Sequence, residues 1–108
     1  MAKSVSAWLQ RAHGHVHLVG VCGVGMAGVA HLLRGIGFRV TGCDLHPNSL
    51  AGWLDGQGIC VRRGHEPRHI TRDLYGVVRS AAVPSDSPEI ARARRRGVPV
   101  FSRGQILP

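Results

Sequence analysis

Short apolar runs alternate with segments of helical periodicity along this chain. The first run, HVHLVGV at residues 15–21, is rich in β-branched residues and predicts a buried strand. From Met26 the apolar positions recur at helical spacing, which predicts a helix that ends at Gly35 or Gly37. Similar patterns predict strands at 38–43, 59–62, 76–80 and 98–101, and helices at 48–57, within 64–73 and from Ser87 to about Gly97.

This alternation of strands and helices is typical of an α/β fold whose parallel sheet is covered on both faces. We therefore predict a Rossmann-like three-layer domain at residues 15–108, with a mostly parallel sheet of about five strands, preceded by a lead-in segment at 1–14. Right-handed crossovers bring the carboxyl ends of the strands to one edge, where open α/β sheets bind ligands. In the helix that follows the second strand, the expected buried face consists of Leu50, Trp53 and Leu54.

Composition and charge limit the classes of partner. The chain has 108 residues, and 14 Lys+Arg against 6 Asp+Glu give a net charge of +8. Such a balance suits a polyanion, but only 5% of the residues are aromatic, which leaves few stacking platforms for nucleic acid. A smaller anion, such as a nucleotide diphosphate, would use the same charge. We therefore expect no nucleic-acid partner.

Neither a membrane segment nor a disulfide framework is visible in the sequence. No apolar run approaches the ~18 residues needed to span a bilayer, and the first ten residues lack the basic start and apolar core of a signal peptide. Cys22, Cys43 and Cys60 form no CxxC pair, which argues against a disulfide scaffold or a thiolate zinc site. We expect a cytoplasmic location and no membrane partner.

Three alternating histidines near the N-terminus are a candidate metal site. His13, His15 and His17 alternate, so on a strand they would share a face at a spacing that could hold a metal ion. Because no cysteine or acidic residue lies near them in the sequence to complete the site, no metal site is expected.

The segment GVCGVGMAG at 20–28 contains a candidate phosphate-binding turn. It contains GxGxxG as Gly23, Gly25 and Gly28, directly after a predicted strand and at the start of a predicted helix. In such a turn Gly23 permits the tight bend, Gly25 lets backbone N–H groups approach a phosphate, and Gly28 lets the helix pack closely on the strand. The helix N-terminus adds partial positive charge and unpaired N–H donors. Asp44, which ends the second predicted strand, can accept hydrogen bonds from ribose hydroxyls.

The spacing of this motif does not decide which nucleotide binds. A dinucleotide such as NAD suits GxGxxG, but five strands barely supply the second mononucleotide half that it needs. The chain also lacks G-x-x-x-x-G-K-[ST], so it has no phosphate-binding loop of its own for ATP. A glycine-rich turn that binds nothing is the remaining alternative.

Several motifs, in the same order, resemble those of the Mur ligase family, and the likeness covers about residues 15–107. The run HLVGVCGVGMAG at 17–28 is similar to the opening segment of the family, a His and two apolar residues followed by Gly-Ile-Gly-Gly-x-Gly-Met-Ser-Gly. VTGCD at 40–44 is similar to V-x-G-S-D, and Gly64-His65 to a Gly-His pair. Further matches are SAAV at 80–83 to S-S-A-I, SPE at 87–89 to the end of D-N-P-E, GVPV at 97–100 to G-I-P-V, and Ser102-Arg103 to the Arg of R-A-E-M-L.

The resemblance implies an N-terminal domain that holds the UDP part of UDP-N-acetylmuramate for an ATP-dependent, amide-forming ligase of peptidoglycan precursor synthesis. The branch that adds L-alanine is the most similar. In that family a central domain supplies the ATP and magnesium sites, and a third domain helps to bind the incoming amino acid. The chain itself would then hold no cofactor and no catalytic residue. It would be inactive alone and would act with the remaining ligase domains.

The resemblance also implies roles for individual residues in binding UDP. Backbone N–H groups of the glycine-rich turn would face the diphosphate, the residues after the second strand would hold the ribose and flank the uracil, and those after the fourth strand would line the uracil pocket. His65 could donate to a phosphate or sugar oxygen, and Arg103 could pair with phosphate. The full set is Gly23, Val24, Gly25, Met26, Ala27, Gly28, Asp44, Leu45, His65, Ser80, Ala81, Ala82, Val83 and Arg103.

The chain departs from the family motifs at three positions. Cys22 stands where the family has the first glycine of its Gly-x-Gly-Gly, a feature common in the related murein-peptide ligases, which are therefore the alternative within the family. Ala27 replaces the usual serine and removes a hydroxyl from the turn, and Gln105 stands where the family has glutamate.

Overall fold

The computed structural model describes residues 5–10 and 14–106, so His13 lies outside the described residues. Apart from one 3₁₀ turn at Pro67–His69, strands and helices alternate as expected. In chain order they are α1 (Val5–Leu9), β1 (His15–Val19), α2 (Met26–Ile36), β2 (Arg39–Asp44), α3 (Ser49–Asp55), β3 (Cys60–Arg63), β4 (Leu74–Arg79), α4 (Pro88–Arg95), β5 (Val100–Ser102) and α5 (Arg103–Ile106).

The five strands form one parallel sheet in the order β3-β2-β1-β4-β5. The chain winds outward from β1 to β3 and then returns to the other side of β1 with β4. The direction of winding therefore reverses between β1 and β4, and a crevice at the carboxyl ends of these two strands is the usual ligand position in this fold. The predicted α/β class and Rossmann-like architecture are confirmed.

The sheet is covered on both faces because successive residues of a strand point to opposite sides. In β1, Val16 and Leu18 pack in a core cluster with residues of α2, among them Met26. Val19 packs in a second cluster on the other face, with Ile90 of α4. Both faces of β1 are buried along its whole length, as expected for the central strand of a parallel sheet.

The helix α1 packs on the first core cluster through Trp8. The Trp8 ring packs against both Phe38, at a centroid distance of 5.2 Å, and Tyr75, at 4.9 Å, and these two rings are 6.0 Å from each other. The Tyr75 hydroxyl donates to the Trp8 carbonyl oxygen at 2.9 Å. A Cβ at Gly76 would collide with the Trp8 ring, so a glycine in β4 makes room for this contact. Part of the predicted lead-in segment is therefore packed against the sheet.

The expected buried face of α3 is wrong at two of its three positions. Leu54 is fully buried, but 48% of Trp53 and 36% of Leu50 are exposed. The helix has only seven residues, and it presents a single buried side chain to the sheet. The Trp53 ring instead lies on the surface beside His31 of α2, at a centroid distance of 5.6 Å.

Candidate functional site

The glycine-rich turn begins where β1 ends. Gly20 has φ +79°, a left-handed conformation that suits glycine, and this residue ends the strand. The amides of Gly20 and Val21 both donate to the Cys43 carbonyl oxygen, at 2.9 and 3.0 Å. The amide of Gly23 donates back to the Gly20 carbonyl oxygen at 3.0 Å, which closes the bend predicted for Gly23. The turn is therefore fixed to the end of β2 as well as to its own strand.

Gly25 is the N-cap of α2 and is also left-handed, with φ +77°. Its side-chain position is taken by Arg103, because a Cβ added to Gly25 would lie 2.8 Å from Arg103 Cδ. The neighbouring Val24 is fully exposed. A helix N-terminus with a guanidinium-bearing side chain beside it is a suitable site for an anion. The structure thus brings Gly25 and Arg103 together, although they are far apart in the sequence.

Two predictions about this turn are wrong. Gly28 was expected to let α2 pack closely on the strand, but it is exposed, and a Cβ added there would meet no atom within 4 Å. The Met26 amide was expected to face a phosphate, but it donates to the Gly23 carbonyl oxygen at 3.1 Å. The Met26 and Ala27 side chains are both buried in the core cluster.

Asp44 supports the turn from β2. Its Oδ2 accepts a hydrogen bond from the Cys22 amide at 3.0 Å, and its Oδ1 accepts one from the His46 amide at 3.0 Å. Asn48, the N-cap of α3, donates from Nδ2 to the Cys22 carbonyl oxygen at 3.3 Å. Each carboxylate oxygen keeps a second lone pair that could accept from a ligand hydroxyl. Leu45, beside Asp44, is 51% exposed at the same edge.

The loop after β4 meets the glycine-rich turn through Ser80. The Ser80 amide donates to the Val19 carbonyl oxygen at 3.0 Å, and Ser80 Oγ lies 3.2 Å from the position of a Cβ on Gly23. The Ala82 amide donates to Ser80 Oγ at 3.2 Å. Ser80 is buried, while Ala81 and Ala82 are exposed.

Val83 does not line this edge as expected, because it is buried in the second core cluster. The Arg79 guanidinium donates to the Val83 carbonyl oxygen at 3.1 Å and so fixes the loop. Within the loop after β4, Ala81 and Ala82 are therefore the two predicted residues that remain accessible to a ligand.

His65 is directed into the protein rather than toward the edge. It is only 13% exposed, and its Nδ1 lies 3.1 Å from Glu89 Oε1 and 3.3 Å from Cys43 Sγ. Since Nδ1 is engaged in this way, the predicted donation from His65 to a phosphate or sugar oxygen would have to come from Nε2. Gly64 donates its amide to the Asp44 carbonyl oxygen at 2.9 Å, so the Gly64-His65 pair ties β3 to the end of β2.

Glu89 is the centre of a buried polar cluster that sequence analysis missed. The carboxylate is fully buried, with His69 Nδ1 at 2.6 Å, Cys43 Sγ at 3.0 Å and His17 Nε2 at 3.4 Å from Oε2. Burial opposes ionisation of Glu89, but the hydrogen bonds from these neighbours outweigh it and lower the pKa of the carboxyl. Burial, followed by the nearby Glu89 charge, raises the pKa of the Cys43 thiol well above its usual range.

Burial also lowers the pKa of His17 and of His15. The two imidazoles share one hydrogen-bond partner, the hydroxyl of Thr41. Thr41 Oγ1 lies 2.7 Å from His15 Nε2 and 2.8 Å from His17 Nδ1. For His15 and His17 the burial effect exceeds the attraction of their carboxylate partners, which would raise the pKa. The folded protein therefore favours the neutral forms of both imidazoles.

These shifts predict that acid destabilises the fold. The unfolded histidines, with a pKa near 6.5, bind protons before the buried ones do, so the free energy of unfolding should fall as the pH drops below about 6.5. It should fall more steeply below about 4.5, where unfolded glutamate takes up a proton that folded Glu89 resists. Urea denaturation in metal-free buffer at a series of pH values measures this effect.

Two histidine variants check the origin of the acid effect. In His15→Gln the decline between about pH 6.5 and 5 should be shallower, because one buried imidazole no longer titrates. His46→Gln, at an exposed position, should keep the slope of the parent chain. A free energy of unfolding that rises on acidification would contradict the prediction.

Comparison with known proteins places the chain in a family. Residues 15–108 match the model of the Mur ligase family, catalytic domain. The UDP-N-acetylmuramate–L-alanine ligase of Carboxydothermus hydrogenoformans is 41% identical over 92 residues, which cover 85% of this chain and 20% of that relative. The ligase of the same name from Deinococcus radiodurans is 42% identical over 97 residues, which cover 86% and 20%. The chain thus spans about a fifth of the length of these curated relatives.

Solved structures agree with this placement. The UDP-N-acetylmuramate–alanine ligase MurC of Thermotoga maritima has a TM-score of 0.77 and 32% identity, over 84% of this chain and 21% of that one. A murein peptide ligase of Psychrobacter arcticus has a TM-score of 0.77 and 28% identity, over 87% and 20%. No helix in the part of the chain that the structure describes has the length and apolarity of a membrane span. With the family model matched across residues 15–108, this chain belongs to the Mur ligase family.

Proposed function

We propose that this domain binds the UDP moiety of UDP-N-acetylmuramate for an ATP-dependent ligase that adds L-alanine during peptidoglycan precursor synthesis. The observation that carries the proposal is the N-terminus of α2 beside Arg103, at the carboxyl edge of the sheet and next to the point where the winding reverses. Relatives that are 41–42% identical carry the name UDP-N-acetylmuramate–L-alanine ligase.

The diphosphate would lie against the turn from Gly23 to Gly25, where the helix N-terminus and the Arg103 guanidinium both favour negative charge. The ribose would reach the Asp44 carboxylate, whose oxygens each have a lone pair left after binding the backbone. The uracil would lie between Leu45 and the exposed loop residues Ala81 and Ala82.

The ATP chemistry belongs to the rest of the enzyme. The only lysine in the chain is Lys3, and the GxGxxG turn has no lysine to reach a phosphate chain as a G-x-x-x-x-G-K-[ST] loop does. The residues present therefore do not fit an ATP and magnesium site, and we assign this chain no catalytic step. The three cysteines are free, as suits a protein that works in the reducing cytoplasm.

The murein-peptide ligases are the alternative within the family. Among the solved structures, the murein peptide ligase of Psychrobacter arcticus is 28% identical to this chain, below the 32% of the Thermotoga maritima MurC. An assay of the full-length enzyme with UDP-N-acetylmuramate and ATP, in which free L-alanine competes with an L-alanyl peptide, distinguishes the two. Amide formation with L-alanine is the expected outcome.

An amide NMR titration of the isotope-labelled chain tests the proposed ligand. UDP-N-acetylmuramate and UDP should both shift the amides of residues 23–28, Asp44, Ala81 and Ala82, and NAD should shift none of them. Shifts with NAD alone would identify a dinucleotide domain instead. Silence with all three ligands would contradict uridine binding by this domain.

Asp44→Ala should weaken UDP binding by about 1–3 kcal/mol, because a hydrogen-bonded carboxylate acceptor is removed from the ribose. Isothermal titration calorimetry measures the change. Asp55→Ala, at an exposed position on α3, is the matched control and should bind as the parent chain does.

A double-mutant cycle with 2′,3′-dideoxy-UDP separates ribose contact from support of the turn. If Asp44 accepts from the ribose hydroxyls, the parent chain should prefer UDP to the dideoxy analogue, and Asp44→Ala should lose that preference. An equal preference in both chains would leave Asp44 only the support of Cys22 and His46.

A further inference from the structure

Four metal-ligating side chains meet beneath α4 and the 3₁₀ turn. His17, Cys43, His69 and Glu89 each offer one nitrogen, sulfur or oxygen atom, and these four atoms lie within 4.8 Å of one another. All four residues are buried. No metal site was expected at His17, because no cysteine or acid lies near it in the sequence. The fold supplies both, from β2 and from the start of α4.

Two imidazoles, a thiol and a carboxylate are a donor set that binds Zn²⁺ in tetrahedral geometry. With metal–ligand bonds of about 2.0–2.3 Å, the ligand atoms of such a site lie about 3.3–3.8 Å apart. Glu89 Oε2 is now 3.4 Å from His17 Nε2, 3.0 Å from Cys43 Sγ and 2.6 Å from His69 Nδ1. The contacts from Glu89 Oε2 would have to open by less than an ångström, and any wider pair, none beyond 4.8 Å, would have to close to about those tetrahedral spacings for the ion to bind.

The charges also suit a divalent ion. A thiolate and a carboxylate together neutralise Zn²⁺, so the occupied site would carry no net charge in the protein interior. The metal-free cluster instead leaves the Glu89 carboxylate buried, and His17 Nε2, the nitrogen that faces it, is buried without a hydrogen-bond partner. Burying a charge is costly unless it is compensated, and the ion would compensate it fully.

The outer nitrogen of His17 has a hydrogen-bond partner that can fix the metal-binding tautomer, whereas the outer nitrogen of His69 has only the charge of a nearby acid. Zinc-ligating histidines usually donate their second N–H to an oxygen. His17 Nδ1 lies 2.8 Å from Thr41 Oγ1, and His69 Nε2 lies 3.8 Å from the carboxylate of Glu66. Each imidazole can therefore move its proton outward and present a lone pair to the ion.

An open pocket of about 550 Å³ reaches the two histidines of the cluster from the surface. His17, Thr41 and His69 are among the residues that line it. Two arginines that line the same pocket already have acidic partners, Arg39 with Asp73 and Arg68 with Glu66. These ion pairs reduce the positive charge along the path that a cation would take.

We propose that His17, Cys43, His69 and Glu89 form a zinc-binding site. On binding, the S–H bond of Cys43 breaks, its proton leaves to solvent, and the thiolate becomes a ligand without any change of oxidation state. The thiol is a feature of this chain, because the family motif that VTGCD resembles has serine at that position. The site shares no residue with the proposed nucleotide site and is tested without a nucleotide.

Cobalt is the spectroscopic probe. The reduced, chelator-treated chain should take up one Co²⁺, with a thiolate-to-cobalt charge-transfer band in the near ultraviolet and the intense visible bands of tetrahedral cobalt. Zn²⁺ should abolish both, and binding should release one proton in a weakly buffered solution. A parent chain that takes up no cobalt at micromolar concentrations would overturn the proposal.

Matched variants assign the ligands. Cys43→Ser should lose the charge-transfer band and weaken cobalt binding by more than about 100-fold, since it removes a direct ligand. Cys60→Ser, which alters an exposed thiol, should keep the band and the affinity of the parent. A band that survives in Cys43→Ser and is lost in Cys60→Ser would show adventitious surface binding and overturn the proposal.

A second variant keeps the test valid if circular dichroism shows that Cys43→Ser is unfolded. Thr41→Val leaves all four ligands in place and removes the hydroxyl that holds His17 Nδ1. Its zinc affinity should fall by about 10- to 100-fold. An unchanged affinity would contradict the proposed orientation of His17 and, with it, the site.

Discussion

Replacing Glu89 with alanine should lower the free energy of unfolding by about 3–5 kcal/mol. The carboxylate is fully buried and accepts hydrogen bonds from Cys43 Sγ at 3.0 Å and His69 Nδ1 at 2.6 Å, with His65 Nδ1 3.1 Å from its other oxygen. Its removal leaves these groups buried without their acceptor and opens a cavity beside His17. Urea denaturation at pH 7 in a buffer with chelator gives the size of the loss.

Two further glutamate variants test whether the loss of stability comes from the buried hydrogen bonds of Glu89. Glu66→Ala removes an acid that pairs with Arg68 at the surface, at 2.8 Å, and should cost about 1 kcal/mol or less. Glu89→Gln keeps the shape and one acceptor oxygen, so it should fall between Glu66→Ala and Glu89→Ala. If the free energy of unfolding of Glu89→Ala is within about 1 kcal/mol of that of the parent chain, the cluster does not hold α4 against the sheet.

The position of Glu89 also shows where sequence analysis reached its limit. The triplet Ser87-Pro88-Glu89 correctly predicted a helix start, with proline in the first turn and an acid after it. Nothing local indicates that this acid is buried, because a first-turn glutamate usually faces solvent. Its partners Cys43 and His69 lie 46 and 20 residues away, and only the packing of α4 over the sheet brings them together.

The order of strands and helices was predictable because each element carries its own pattern. The apolar run of β1 and the helical stripe of α2 are local signals, and glycine marks the end of α2 at Gly37, with φ +126°. The exposure of Trp53 was not predictable in this way. A large apolar side chain on a short helix is buried only if another element covers it, and the ring of Trp53 stays about half exposed beside His31 of α2.

The structure contains some of the contacts that the sequence predicted for the candidate site and differs at others. Gly23 and Gly25 form the expected turn, because tight backbone geometry depends on glycine locally. The roles of Gly28 and His65 depend on what packs against them: a Cβ at Gly28 meets no atom, and His65 Nδ1 contacts Glu89 rather than the turn. Asn48 was predicted only as the beginning of a helix, yet it also holds the Cys22 carbonyl of the turn.

The end of β2 links the buried cluster to the glycine-rich turn. The Cys43 side chain lies against Glu89, while the Cys43 carbonyl oxygen accepts from the amides of Gly20 and Val21. A change in the cluster, whether the loss of Glu89 or the arrival of a metal ion, therefore acts on a residue that positions the turn. NMR shifts at residues 20–25 would report that coupling directly.

Gly25→Val should both destabilise the protein and weaken UDP binding. A β-branched residue at φ +77° is strained, and its Cβ would lie 2.8 Å from Arg103 Cδ, so we expect a loss of about 2–4 kcal/mol in the free energy of unfolding. The side chain would also cover the N-terminus of α2 and displace Arg103. UDP affinity should fall by about 10- to 100-fold, as expected when one charge-assisted hydrogen bond is lost.

Gly28→Val is the matched control from the same motif. A Cβ at Gly28 meets no atom within 4 Å, and a helical valine is no worse than a helical glycine, so stability should stay within about 0.5 kcal/mol of the parent. UDP affinity should be unchanged, because a Cβ at Gly28 meets neither Arg103 nor the backbone of the turn. Equal effects of the two substitutions would mean that bulk anywhere in GxGxxG disturbs the site. A selective effect of Gly25→Val would instead show that the left-handed N-cap beside Arg103 is where the phosphate binds.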